Sequence, residues 1–473
     1  MPTRRQLAAG GAAALLASFF APRLERGLAQ ETAGRRTVSL TLQAAERSTT
    51  LPCFGGAALP LWTFAEGAWP VLIRLDRGDR LEVTLGNHLS EHTSIHWHGI
   101  RLPNDQDGVP YLIQRPVGTG ESFRYAFTPP DAGTFWFHTH CNTVEQLGRG
   151  LAGILIVNGD VTEPYDADLV LTLRDWRIEP GSNRFASFTT LRGAGRAGTY
   201  GPLRSVNGAV QPEFALPASG DCRLRVLNVD PTRVMRVGVE GAEAALIAID
   251  GLAISPMPLG EWLLGPGMRA DLLVRAPAAG VTARVVDTSA DGYLTLATLK
   301  GAGPPRRPRP FDPAPLGAPL VARPDLATAT RLAFRFQSVE AGVEVVAEAP
   351  GDALGPICAT PRTFWTINGR AWPDRDHATM PPPLAVLERG RSYVFSLRND
   401  TAFVHPIHIH GHSVSWLSSS LRTAPAHHAD TILLLPGEVV EVAFVADNPG
   451  DWMFHCHVIE HQEYGMMGYL RIA

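Results

Sequence analysis

Cysteine is scarce in this chain: 473 residues contain five. A small disulfide-stapled scaffold is thereby excluded, and a chain of this length must be held by hydrophobic cores. Methionine is also sparse, at eight residues, and its one adjacent pair is Met466–Met467. Neither sign of charge dominates, with 42 Lys+Arg against 46 Asp+Glu. No basic stripe of the nucleic-acid-binding kind is present, and no nucleic-acid partner is expected. No apolar run approaches the roughly 20 residues that span a bilayer. Long amphipathic helical stretches are few, whereas 46 Gly and 39 Pro punctuate the chain. This balance predicts an all-β protein rich in turns.

The first thirty residues stand apart. A basic start, a short apolar run from Leu7 to Phe20 and small residues near Ala29 read as an export signal. Arg4 and Arg5 after Thr3 resemble the twin-arginine type, which sends a protein to the periplasm. Residues 1–30 carry four Arg and one Glu, so removing them moves the net charge from −4 to −7. No membrane insertion of the mature form is expected. Cys53, Cys141, Cys222 and Cys358 allow three disulfide pairings or none, and the sequence does not choose.

The rest divides into three similar blocks, 35–160, 161–305 and 325–473, with the proline-rich stretch 301–320 joining the last two. DRLEVTLGN (79–87), CRLRVLNV (222–229) and SYVFSLRND (392–400) recur at matching places, each a strand ending in a polar turn. DAGTFWFHTH and NPGDWMFHCH also match, a turn followed by an aromatic strand carrying histidines. Repeats of this length predict three copies of one β-sandwich.

Histidines cluster in the first and third blocks. His-x-His occurs at His96/His98, His138/His140, His408/His410 and His455/His457. A lone histidine is usually a core or surface residue, but four pairs in matching strands need another cause. On a strand, i and i+2 share a face about 6.5–7 Å apart, so two imidazoles can serve two neighbouring metals. The residue between points the other way. In HCH, Cys456 therefore faces a different metal from His455 and His457. Two His, one Cys and a distant Met make an electron-transfer copper site. Cys456, His461 and Met466 are candidates for three of those ligands, and HPIHIHGH offers His405 as a candidate fourth.

These segments, HWHG (96–99), HTH (138–140), HPIHIHGH (405–412) and HCHVIEHQEYGMM (455–467), resemble the multicopper oxidases, the laccase-like family. The resemblance implies three consecutive cupredoxin-like Greek-key β-sandwich domains and four copper ions. It implies that His405, Cys456, His461 and an axial Met466 bind the type 1 copper. His96 and His408 would hold the type 2 copper. His98, His138 and His457 would hold one type 3 copper, and His140, His410 and His455 the other. A small reducing substrate, whether a phenol, an aromatic amine or a metal ion, would lose electrons one at a time, and O₂ would be reduced to water. Block two contains no histidine and reads as a spacer.

The family places an acid after HWHG, and Asp107 matches it as a proton donor reaching the cluster through water. Some bacterial relatives carry another acid directly after the last type 1 His. Here that position is Gln462, which leaves Glu463 or Glu460 to substitute. His412 reads as a bystander. His88, His92, His377, His427 and His428 match no ligand position and read as solvated, the last two in a loop near the type 1 site. Two other readings remain: a cuprous-ion oxidase, disfavoured by the few methionines, and a non-enzymatic envelope protein, disfavoured by the complete ligand set.

Overall fold

The computed structural model of the protein describes residues 31–32, 35–67, 69–161, 164–289, 292–306, 310–344, 362–372 and 380–473. The export-signal reading, Cys358 and His377 fall outside them.

Each block is two facing sheets built by one plan. The opening strands Arg35–Thr49, Ala167–Trp176 and Thr330–Glu344 run parallel to the strands bearing the recurring phrase, Arg80–Asn87, Asp221–Asn228 and Ser392–Asn399. The latter pair antiparallel with Ser122–Phe127, Arg269–Arg275 and Val439–Val445. In the facing sheets, another parallel pair flanks an antiparallel run: Val71–Asp76 with Ala152–Asn158, Glu213–Pro217 with Leu294–Ala302, and Ala385–Leu387 with Met467–Ile472. Parallel neighbours far apart in sequence mean that the chain crosses between sheets, as in Greek-key sandwiches. The fold is three consecutive cupredoxin-like domains.

The polar turn of the repeated phrase has a physical purpose. Asn87, Asn228 and Asn399 are all buried where their strands end. Each amide donates to backbone carbonyls of the following loop and the next segment: Glu91 and Val117, Arg233 and Leu264, Phe403 with Leu434 and Leu435. Each Asn Oδ1 accepts a backbone N–H two residues on. One side chain thus satisfies a crossing loop that would otherwise bury unpaired carbonyls.

One hydrophobic core runs through the first and third domains, from Leu42 and Trp97 to Phe454 and Met466, whereas the second domain has its own. Asn104 Nδ2 donates to Asp451 O (2.7 Å) and Asn448 Nδ2 to Leu102 O (2.9 Å) across the first–third boundary. Cys53, Cys141 and Cys222 are buried free thiols. No helix among the described residues is long and apolar enough to cross a membrane.

Candidate metal centre

Strand register sets the histidines. His96–His98 pairs antiparallel with Gly133–His138, placing His96 opposite His138. His405–Ile409 pairs with Gly450–Cys456, placing His408 opposite His455 and Ile407 opposite Cys456. Neighbouring rungs of one ladder therefore send side chains to opposite faces, and two donor groups form.

The larger group contains eight buried imidazoles: His96, His98, His138, His140, His408, His410, His455 and His457. Nε2 of His96 lies 3.4 Å from Nε2 of His408, and Nε2 of His410 lies 3.1 Å from that of His455. Two nitrogens about 2.0–2.1 Å from one tetrahedral metal are about 3.3 Å apart, so these spacings fit shared ions. His457 sits edge-on to His98 and His138 at 4.9 and 5.3 Å, and both its ring nitrogens lack a partner. Nε2 of His138 and of His140 is likewise buried and unpartnered. Burial first, then the neighbouring imidazoles, holds His98, His140, His410 and His457 far below the ordinary histidine range. The rings stay neutral, with lone pairs free for metal.

The outer nitrogens are tied down, which fixes which atom faces inward. His138, His455 and His408 donate from Nδ1 to the carbonyls of Thr139 (2.7 Å), Cys456 (2.9 Å) and Asp430 (2.9 Å). His98 is reversed: its Nε2 donates to Asp430 Oδ1 (3.0 Å), leaving Nδ1 buried and unpartnered.

The smaller group is His405, Cys456 and His461, with Sγ 3.5 and 3.6 Å from the two Nδ1 atoms and those 3.0 Å apart. His405 Nε2 is anchored on Thr401 Oγ1 (2.8 Å) and His461 Nε2 donates to Arg196 O (2.6 Å), so both Nδ1 lone pairs converge on sulfur. Met466 is fully buried beside this group, and its carbonyl accepts from Cys456 N–H (3.0 Å). Three soft and borderline donors in a triangle suit copper.

Comparison with known proteins agrees with this geometry. Family profiles described as multicopper oxidase match residues 48–161 and 357–473. Multicopper oxidase MmcO of Mycobacterium tuberculosis is 30% identical over 462 residues, 91% of this chain and 86% of that protein. The chain belongs to the multicopper oxidase family. Laccase-1 of Botryotinia fuckeliana is 28% identical over 430 residues, covering 83% of this chain and 75% of that one. The crystal structure of a multicopper oxidase from Pseudomonas thermotolerans superposes with a TM-score of 0.82 at 41% identity, covering 93% of this chain and 100% of that one. The protein is a copper-dependent, laccase-like oxidoreductase that uses four copper ions and O₂.

Asp107 of this oxidase is buried and needs no water to reach the cluster. Oδ1 lies 3.1 Å from His96 Nδ1 and Oδ2 2.8 Å from His410 Nδ1, so one carboxylate accepts from two imidazoles. Gly108 holds that turn at φ +80°, where a Cβ would collide with Ile95 O.

The spacer reading of the second domain is corrected. Its Arg269 donates to both oxygens of Asp430 (2.8 and 2.7 Å), the carboxylate that orients His98. Burial opposes the Asp430 charge, but Arg269 and His408 outweigh it and keep the group below the ordinary carboxylate range. Asp250, from the same domain, accepts the backbone N–H of Thr431 (3.1 Å). A Cβ on Gly267, at φ +84°, would lie 2.9 Å from His457 Cδ2 and 3.0 Å from His98 Cε1. A glycine there lets the second domain's backbone press against the imidazoles. Gly99 of HWHG is required for a similar reason, since its Cβ would meet Arg269 and Asp430.

Other sequence readings resolve as follows. Glu460 is bound by Arg177, Thr189 and Thr199. Glu463 accepts Val144 N–H (2.8 Å), and Gln462 is fully buried with both amide atoms unpartnered. His412 donates toward His410 O and belongs to neither donor group. His427 is buried rather than solvated, because it stacks on Trp416 at 5.4 Å with Trp262 at its edge.

Proposed function

We propose that His405, Cys456 and His461, with Met466 as weak axial donor, hold the type 1 copper. By the same proposal His96 and His408 hold the type 2 copper, His98, His138 and His457 one type 3 copper, and His140, His410 and His455 the other. The observation that carries this is the register at 405–410 and 454–456, where adjacent rungs feed two separate donor groups. Copper bound there would supply one-electron acceptance from a reductant at one group and the reduction of O₂ to water at the other.

The chain's own part is positional. His455–Cys456–His457 joins the two groups by consecutive peptide bonds, the shortest covalent link available between them. Anchored outer nitrogens on His96, His98, His138, His405, His408, His410, His455 and His461 aim those imidazoles inward before metal arrives, so little ordering remains to be done there on binding. Asp107 holds His96 and His410 together and is placed to pass a proton at its carboxylate. Two buried indoles wall the groups, Trp365 against His405 and His461 and Trp136 against His98, His138 and His457.

The reductant we propose is a phenol or aromatic amine, a reading supported by relatives that bear the name laccase and by the small methionine count. Oxidation of metal ions is the second reading. We propose the periplasm as the working compartment, on the strength of residues 1–30.

Cys456→Ser tests the assignment. The variant should lose the intense blue copper–thiolate absorption and keep the type 2 resonance. A variant that remains blue overturns it.

A further inference from the structure

His461 is fully buried, so no reductant can touch its ring directly. What lies over it is a segment of the second domain. Arg196 O accepts from His461 Nε2 (2.6 Å), and Ala194 O accepts from Trp365 Nε1 (2.6 Å), whose ring lies 4.5 Å from His461. The short helix Leu191–Ala194 is capped by Thr190 Oγ1, which accepts from Gly193 N (2.9 Å). Thr189 and Thr199 fasten the segment to Glu460, whose charge is met by Arg177 at 3.4 Å. The cap is therefore a built part of the type 1 region.

Its charge is one-sided. Between Pro180 and Pro212 the chain carries Arg184, Arg192, Arg196 and Arg204 and no aspartate or glutamate. Arg184 pairs with Glu179, and Arg204 with Asp175 and Asp287. Arg192 and Arg196 are exposed and make no ion pair among the described residues. The Arg196 guanidinium sits one side-chain length from the peptide that touches His461, within the Debye length of about 8 Å at physiological salt. Half-buried Phe364 lies beside Gly195, where a Cβ would be 3.3 Å from the ring, and 5.4 Å from Tyr464. An aromatic face next to two unpaired guanidiniums matches a flat anion.

We propose that the Leu191–Thr199 cap is the docking surface for the reductant, and that Arg192 and Arg196 select anionic aromatic reductants, such as a phenolate or a carboxylated phenol, over neutral ones and over metal cations. The inference rests on His461 being a type 1 ligand. One electron would leave the docked reductant for the group at His405, Cys456 and His461 and pass on to the O₂-reducing group. A phenolate becomes a phenoxyl radical with no proton released, whereas a carboxylated phenol that keeps its phenolic O–H releases that proton to solvent as the radical forms.

The test compares copper-loaded wild type with the Arg192→Glu/Arg196→Glu double variant, after both show the blue absorption. The measured quantity is the ratio of kcat/KM for a sulfonated phenol to that for a neutral phenol of similar potential. That ratio should fall about tenfold or more in the variant, and should fall in wild type as salt rises. Arg192→Lys/Arg196→Lys should largely restore it. Binding of redox-inert 4-methoxybenzenesulfonate, read by calorimetry, should be seen with wild type and lost in the Glu variant. An unchanged ratio with equal salt dependence in both proteins overturns the docking inference while the laccase reading stands. Wild type that oxidises cuprous ion faster than any phenol overturns both.

Discussion

Asp107→Asn is the sharpest single perturbation of the cluster. The carboxylate accepts from His96 Nδ1 at 3.1 Å and from His410 Nδ1 at 2.8 Å, and it is 1% exposed. Asparagine has the same shape but one acceptor oxygen. Its amide NH₂ must then face an imidazole N–H, donor against donor, with no room for water to intervene. Losing one buried hydrogen bond to a charged group costs about 1.5–3 kcal/mol, or about 10- to 150-fold in an equilibrium constant. That agrees with the loss of about 10- to 100-fold in metal affinity when a partner of a metal-bound histidine is removed.

The loss should fall on the ions that His96 and His410 would hold and spare His405, Cys456 and His461, which share no side chain with Asp107. The expected protein is blue, with copper content below four and a weakened type 2 resonance after dialysis against a chelator. Copper analysis and electron paramagnetic resonance read this directly. A fully loaded Asp107→Asn protein with an unchanged type 2 resonance and slow reoxidation by O₂ would refute the positioning role and leave proton delivery alone. Wild-type loading with wild-type reoxidation would refute both.

Gly267→Val should lower copper content while the blue colour persists, because a side chain there meets His457 and His98 within about 3 Å; full loading of that variant would contradict the second domain's part in the site. Asn399→Ala should cost about 2–4 kcal/mol in denaturant unfolding, since it strands buried carbonyls of Phe403, Leu434 and Leu435; a loss under about 0.5 kcal/mol would contradict it. Burial pushes the Glu463 carboxyl up to about 7 from 4.5. Its protonated form therefore favours the folded state fully below about pH 4.5, and this contribution, about 3 kcal/mol, is lost as pH rises through about 7. Glu463→Gln should flatten the Tm profile across that window, and an unchanged slope would contradict the raised pKa.

The parts of the molecule that repeat were legible in the sequence. Phrase recurrence placed the strands ending at Asn87, Asn228 and Asn399 to within a residue or two, because a period-2 pattern closed by a polar turn is a local signal. The His-x-His spacing likewise needs only strand geometry. Arg223 and Arg225 alternate with leucine and valine, yet both are buried, with Arg225 Nη1 donating to Thr134 Oγ1 (2.8 Å) of the first domain and Arg223 to Asp271. Charge alternation reports only that one face is not apolar. It does not say whether that face meets water or another domain's acids.

Asp430 and Arg269 were invisible for a different reason. They lie 161 residues apart in different domains, and neither falls within the histidine motifs. Nothing local marks a carboxylate that acts through another residue's ring. His98 is the exception: His138, His408 and His455 are held by carbonyls and His96 and His410 by Asp107, but an inward Nδ1 needs an acceptor on the far side of the ring. That acceptor must be strong, buried and kept charged, which calls for a cation beside it. The second domain meets the need with Arg269 and must come close to do so, hence glycine at 267 and at 99. A three-domain chain whose middle domain holds no histidine still places that domain's charge within hydrogen-bonding reach of the carboxylate that orients one of them.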